Sequence, residues 1–157
     1  MKYKLRPVIK LDNEGWEGVN EEATFYKNSL MNPTSGTYIL QTDKGNAFIN
    51  FLQETGMIKM LGSTGGGAGT EALIQALELI RDSNTNTVGA HWQADSVDSN
   101  EYYKHLGLDK YKTDNVFANE YRIPKDKLDE EIKRLRNRDK KWVTIAGRRV
   151  LIRDKKG

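Results

Sequence analysis

The stretch that most limits the fold of this chain is residues 57–82, MIKMLGSTGGGAGTEALIQALELIRD. A short apolar run, Met57 to Leu61, enters a glycine-dense turn, Gly62 to Gly69, and the turn leads directly into a segment of helical period. Ala68, Ala72, Leu73, Ala76, Leu77 and Ile80 recur at the spacing of one helix face, while Glu71, Gln75, Glu78 and Arg81 fall on the wet side. Glycine reaches positive φ at little cost and lets backbone N–H groups approach a ligand closely. The first helical turn leaves N–H groups without intrahelical partners, and the helix dipole places about half a positive charge there. Strand, glycine turn and helix start together predict an anion site, and a phosphate or pyrophosphate is the natural guest.

The turn alone does not choose the ligand. A Walker loop ends in Gly-Lys-Ser/Thr, whereas Gly69 is followed by Thr70 and Glu71. Gly67, Gly69 and Ala72 match the GxGxxA letters of a dinucleotide fold, and Asp95 follows the next strand where a ribose-binding acid would sit. That fold needs further strand-helix units for which the chain has no room or pattern. A purely structural glycine turn is the plain alternative.

The following segment adds a second pattern. Thr87 to Gln93 reads as a strand, Ser96 to His105 as a short helix, and Leu106-Gly107-Leu108 as its end. Glycine turn, helix, strand and a helix with paired aromatics before Leu-Gly-apolar resembles the GNAT superfamily of acyl-CoA N-acyltransferases. In that family the loop reads Arg/Gln-x-x-Gly-x-Gly/Ala. Thr64-Gly65-Gly66-Gly67-Ala68-Gly69 occupies it here, with Thr64 in place of the Arg or Gln. At the places of the later family pattern, roughly Asn-x-x-Ala-x-x-Phe-Tyr-x-x-Leu-Gly-Phe, stand Ser96, Ser99, Tyr102, Tyr103, Leu106, Gly107 and Leu108, with Ser96 departing from the commoner letter. The resemblance covers about residues 35 to 124.

What the resemblance implies is an α+β fold: a mixed, mostly antiparallel twisted sheet flanked by helices, with residues 1–124 as the acyl-CoA-binding domain. It implies an N-acetyltransferase that moves an acyl group from acetyl-CoA, its co-substrate, to a small-molecule or protein amine. No metal is required. Thr64, Gly65, Gly66, Gly67, Ala68, Gly69 and Thr70 would hold the pyrophosphate, and Tyr103 would protonate the departing thiolate, leaving Tyr102 to face the core. Glu54 and Asp95 are the candidates for the base, with solvated surface carboxylates as the alternative. Trp16, Phe25 and Tyr26 would wall the acceptor site, although ordinary core packing is the plainer reading of these aromatics. His91, within a strand, reads as a core histidine and His105 as exposed. A GNAT-like binding or assembly protein without turnover is the alternative function, and Thr64 and the basic tail speak for it.

Composition removes other classes. The 157 residues, 37% hydrophobic and 30% charged, suit one globular domain with a true core. There are no cysteines for disulfides or thiolate metal sites, and the two histidines lack zinc-ligand spacing. No run approaches the length of a membrane helix and no signal pattern opens the chain, so the cytoplasm is the expected compartment. Charge is uneven: residues 125–157 hold 13 Lys/Arg and 6 Asp/Glu, against 12 and 16 in the remainder. The basic tail alone would suggest nucleic acid, but it has no aromatic interleaving or reader motif.

The remaining elements follow from pattern. Met1 to Leu11 reads as a strand, residues 12–34 as one or two short helices, and 36–42, 47–54 and 57–61 as an antiparallel meander with a turn at Asp43 to Asn46. Phe48, Asn50 and Leu52 alternate with Ile49, Phe51 and Gln53, which predicts a strand covered on both sides. Asp109 to Thr113 and Val116 to Ile123 read as two more strands. Asp126 to Arg138 reads as a charged helix whose narrow stripe, Leu128, Ile132 and Leu135, packs lightly on the body or a partner. Trp142 to Arg153 reads as a hairpin that would join two copies in a homodimer, and it is similar to short tails of some phage head-associated proteins.

Overall fold

The computed structural model describes residues 3–7, 36–63, 65, 67–85, 88–113, 119–138, 142–145 and 148–151. Within them lie nine strands: β1 (Arg6–Pro7), β2 (Thr37–Gln41), β3 (Asn46–Leu52), β4 (Met57–Ser63), β5 (Ala90–Ala94), β6 (Lys112–Thr113), β7 (Asn119–Ile123), β8 (Trp142–Ile145) and β9 (Arg148–Leu151). Three helices are α1 (Ala68–Arg81), α2 (Val97–His105) and α3 (Lys125–Arg138). The first seven strands form one open sheet in the order β1-β2-β3-β4-β5-β7-β6. Its pairs are antiparallel except β4 with β5. The fold is thus α+β, a mostly antiparallel open sheet flanked by three helices. β8 and β9 pair only with each other. No helix among the described residues is long and apolar enough to cross a membrane.

The meander forms where the alternation places it. Thr42 closes the β2–β3 turn, its hydroxyl donating to the Gly45 carbonyl at 2.7 Å and accepting from the Gly45 N–H at 3.1 Å. β3 is buried on both faces, as its two apolar sets require: Ile49 and Phe51 face the helices, and Phe48 is equally buried on the other side. Tyr38 stacks on Phe51 with ring centroids 4.9 Å apart. Between β3 and β4 the register shifts, because Asn50 faces Met60 while Phe51 faces Ile58. Lys59 is therefore an extra residue in β4, a bulge that bends the strand.

α1 lays a face rich in small side chains, Ala68, Ala72 and Ala76, against the sheet together with Leu73, Ile74, Leu77 and Ile80. Its other face is not simply wet. Gln75 bonds the Leu5 N–H and the Tyr3 carbonyl at 2.8 Å, tying down the β1 end. Glu71 and Glu78 take the Arg136 guanidinium of α3 at 2.7 and 2.5 Å. Both carboxylates and the arginine are largely shielded, so this seam is screened less than a surface pair. The short parallel strand β5 starts after Gly89, whose φ is 98° and where a Cβ would fall onto the Ile123 carbonyl.

The light packing expected of the charged helix gives way to full burial. Leu128, Ile132 and Leu135 are at most 2% exposed and belong to the same core as the sheet, which therefore continues past Pro124. Glu131 is buried beside them at 1% exposure, held by Arg134 at 2.7 Å and Lys110 at 3.3 Å. Burial works against this carboxylate, yet the cationic and hydrogen-bonding neighbours hold it below the usual glutamate range. The expected strand at 109–113 is a 3₁₀ turn, Asp109–Tyr111, followed by the two-residue β6. The predicted short helices of residues 12–34 lie outside the described residues.

Leu135→Ala should cost about 2–5 kcal/mol, the usual range for emptying a buried leucine site, whereas Lys133→Ala on the exposed side of the same helix should stay within about 0.5 kcal/mol. Urea unfolding of the two variants measures the difference.

Candidate functional site

β4 and β5 pair over two positions only, Met57 with His91 and Ile58 with Trp92. The His91 N–H also bonds the Gly56 carbonyl at 2.9 Å. Beyond Ile58 no pairing joins them, so the second half of β4 keeps its β3 partner on one edge and an open edge on the other. A cavity of about 520 Å³ lies beside this open half. Its wall is Leu61, Gly62 and Ser63 of β4, Gly65, Gly67, Gly69 and Thr70 at the start of α1, and Asp98, Ser99, Tyr102 and Tyr103 of α2.

The floor of the cavity is the start of α1. Gly67 is its N-cap, with φ of 81°, a left-handed value that any side chain would strain, and it has no side chain to cap the first turn. The Ser63 hydroxyl organises the approach by accepting from the Gly65 N–H at 3.2 Å. A Cβ on Gly69 would meet the Ser63 side chain at 3.0–3.1 Å, so a larger residue there would press Ser63 aside by a few tenths of an ångström. Backbone donors and the positive dipole end thus face the cavity without a competing cap.

α2 supplies the opposite wall. Ser96 caps it, its hydroxyl accepting from the Ser99 N–H at 3.0 Å. Asn100 anchors it: its Nδ2 donates to the Ala94 and Ser96 carbonyls, and its Oδ1 accepts from the Tyr121 hydroxyl at 2.6 Å. Tyr103 is wedged among Trp92 and Tyr121, with ring centroids 5.3 and 5.0 Å away, and Trp92 and Tyr121 are themselves stacked. The Tyr102 and Thr70 hydroxyls share a hydrogen bond of 2.9 Å, which joins the two walls of the cavity.

Tyr103 therefore sits on the cavity, as does Tyr102, but their degrees of burial are the reverse of the expected ones: Tyr103 is 7% exposed and Tyr102 half-buried. Burial raises both phenols above the ordinary tyrosine value, and the neighbouring Tyr102 and Tyr121 rings raise Tyr103 further. Both hydroxyls stay protonated at neutral pH and can act there as hydrogen-bond donors, not as bases. No hydrogen bond among the described residues engages the Tyr103 hydroxyl.

Of the expected loop residues, Gly65, Gly67, Gly69 and Thr70 line the cavity, whereas Ala68 turns into the core. Thr64 and Gly66, and the wall candidates Trp16, Phe25 and Tyr26, lie outside the described residues. Glu54 is exposed in the β3–β4 turn, at the end of β4 remote from the cavity. Asp95 and His91 line a different cavity on the other face of the sheet, so His91 is half-buried rather than a core histidine. His105 is exposed, as expected. Ser63 and Asp98 were not singled out from sequence, and Ser99 entered only through the pattern of residues 96–108. A serine ahead of a glycine run is a recognisable turn signal and could have marked Ser63. Among the described residues no group of three or more potential ligands could hold a metal ion.

Comparison with known proteins adds no relative: no protein-family model, curated protein or solved structure matches the chain.

The buried phenols give a pH signature. An unfolded tyrosine ionises near pH 10, while Tyr102 and Tyr103 hold their protons to higher pH in the fold. Above that point the unfolded chain binds fewer protons than the native one, so stability should fall as pH rises through about 10. Urea midpoints across the alkaline range should decline, and Tyr103→Phe should decline less steeply than the parent chain.

Proposed function

We propose that the protein is an acyl-CoA-dependent N-acyltransferase of GNAT type, most simply an acetyltransferase acting on an amine. The observation that carries this reading is the cavity itself: an open strand edge, an uncapped helix start and two protonated phenols converge on one space. An extended ligand with amide groups can pair with the open edge of β4 as an added strand would. A pyrophosphate suits the turn of Gly65 to Gly69, where backbone donors bind anions without any pKa cost. Coenzyme A carries both parts. The element order supports the same reading, with an antiparallel meander, a glycine turn, a helix, a parallel strand and an aromatic-bearing helix.

On this reading the neutral amine nitrogen attacks the thioester carbonyl. A C–N bond forms, the C–S bond breaks, and the proton lost by nitrogen balances the proton gained by sulfur. Tyr103 donates to the departing thiolate and is reprotonated through water. The base is open: Glu54 stands away from the cavity, and water can carry the amine proton.

A second reading, a GNAT-like binding or assembly protein without turnover, draws on the charges of the cavity. Among its described lining residues none is lysine or arginine, and Asp98 contributes a negative charge. On this second reading the partner would be a second copy of the chain or another protein.

Titration calorimetry with acetyl-CoA should give one site of about micromolar affinity, near −8 kcal/mol, and Gly67→Val should abolish it through backbone strain and blocked approach. Binding of NAD in place of acetyl-CoA would favour a dinucleotide site, and binding of neither would favour the scaffold reading.

For a reactive amine, Tyr103→Phe should lower kcat by about 100-fold, a typical acid-catalysis contribution, and leave acetyl-CoA affinity nearly unchanged. An unchanged kcat would remove Tyr103 from the mechanism.

A further inference from the structure

Arg136 of α3 lays its guanidinium across two carboxylates of α1. Its Nη1 lies 2.7 Å from both oxygens of Glu71, and its Nη2 lies 2.5 Å from Glu78 Oε1. Glu71 also accepts from the Gln75 side chain at 2.9 Å. The residue before it, Thr70, lines the cavity beside the open half of β4 and shares the hydrogen bond with Tyr102. Glu71 thus stands in the first turn of α1, next to the cavity floor, with its carboxylate held by α3.

A carboxylate in that position works against an anionic ligand. An acid in the first turn draws on the positive end of the helix dipole, the same field that favours an anion there. The side chains of Arg136 and Glu71 are 21% and 14% exposed, so salt and water screen their charges less than at the surface. With Arg136 in place, one cation stands against the two carboxylates, and the seam keeps a single negative charge. Without the arginine it would keep two, and with Glu71 neutral it would keep none. That the cavity takes a ligand is indicated separately by Tyr103. This side chain, 7% exposed, lines the cavity, and its hydroxyl has no hydrogen-bond partner among the described residues.

We infer that Arg136 is the charge-compensating residue of the anion site: it neutralises Glu71 and so leaves the start of α1 able to hold a phosphate or pyrophosphate group. This role rests on the anion site of the proposed function and adds to it a positioning residue from α3. Neither Arg136 nor Glu71 is among the described residues that line the cavity, so both act on the ligand through the field. The acid in the first turn supports the helix, and the arginine removes its penalty for the ligand.

Calorimetry on the full chain with inorganic pyrophosphate, and in parallel with acetyl-CoA, tests the assignment. Arg136→Gln should weaken pyrophosphate binding by about three- to tenfold, the effect of one unit charge acting across roughly 10 Å of partly shielded protein. Glu71→Gln should strengthen it by a similar factor, and the double variant should return close to the parent chain. Arg136→Lys, which keeps the charge without the planar fork, should bind nearly as the parent does. Glu71→Gln keeps the shape and an acceptor for Gln75, so it removes little besides the charge. Its urea midpoint should fall as the seam weakens while its affinity rises, and a merely structural role would lower both. This variant therefore decides the matter even if Arg136→Gln fails to fold. Weaker or unchanged pyrophosphate binding by Glu71→Gln would overturn the proposal, as would a parent chain that does not bind pyrophosphate. The expected pattern with pyrophosphate but no acetyl-CoA binding would leave the compensation standing and remove the acyltransferase. Acetyl-CoA binding indifferent to both substitutions would remove the role of Arg136 alone.

Discussion

The structure depends on how little of β4 and β5 is paired. Parallel strands close in sequence require a crossover, and α1 provides it. Two residue pairs hold the strands at one end, and the bulge at Lys59 turns β4 as it leaves that contact. On the β5 side of the gap, Tyr103 of α2 is wedged against Trp92 and Tyr121. A pair that ran the full length of both strands would leave no open edge and no room beside it. The separation is thus a designed interruption of a sheet that is otherwise regular.

The helices fix the ends of that interruption by different means. α1 packs through small side chains, and its polar face is held by Arg136. α2 has little apolar surface of its own, with only Tyr103 buried along its length, and is held instead by the Ser96 cap and the Asn100 hydrogen bonds. α3 buries a complete stripe and a carboxylate. A helix held by directional bonds keeps its register more sharply than one held by area alone. That suits the helix carrying the two phenols.

Most of the strands and all three helices were legible in the sequence, because period and turn chemistry carry them. Alternation in residues 46–52 announced a doubly covered strand, and the Ser96 start of α2 is the cap that the residue type predicts. The glycine turn predicts an anion site from sequence, and Gly65, Gly67, Gly69 and Thr70 of that expected loop line the cavity. Depth was not legible. The stripe of α3 looked too narrow for a core element, yet the ion pairs to Glu71 and Glu78 let a highly charged helix pack closely. Adjacent Tyr102 and Tyr103 could not be sorted from helical geometry alone, since the stack with Trp92 and Tyr121 decides which one is buried. Glu54 and His91 failed for the same reason: strand position gives a face and an end only after the pairing is known.

The Arg136 seam also has a kinetic side. Its contacts close loops of 65 and 58 residues, and Gln75 reaches back 70 residues to Leu5. Closing such loops costs chain entropy before the contacts repay it, and domains dominated by distant contacts fold slowly. α1 is therefore clasped from two remote parts of the chain, neither of which can reach it through local structure. Because Glu71 lies one residue after Thr70, the clasp and the cavity floor form together. The cavity should thus be among the last features to appear as the chain folds.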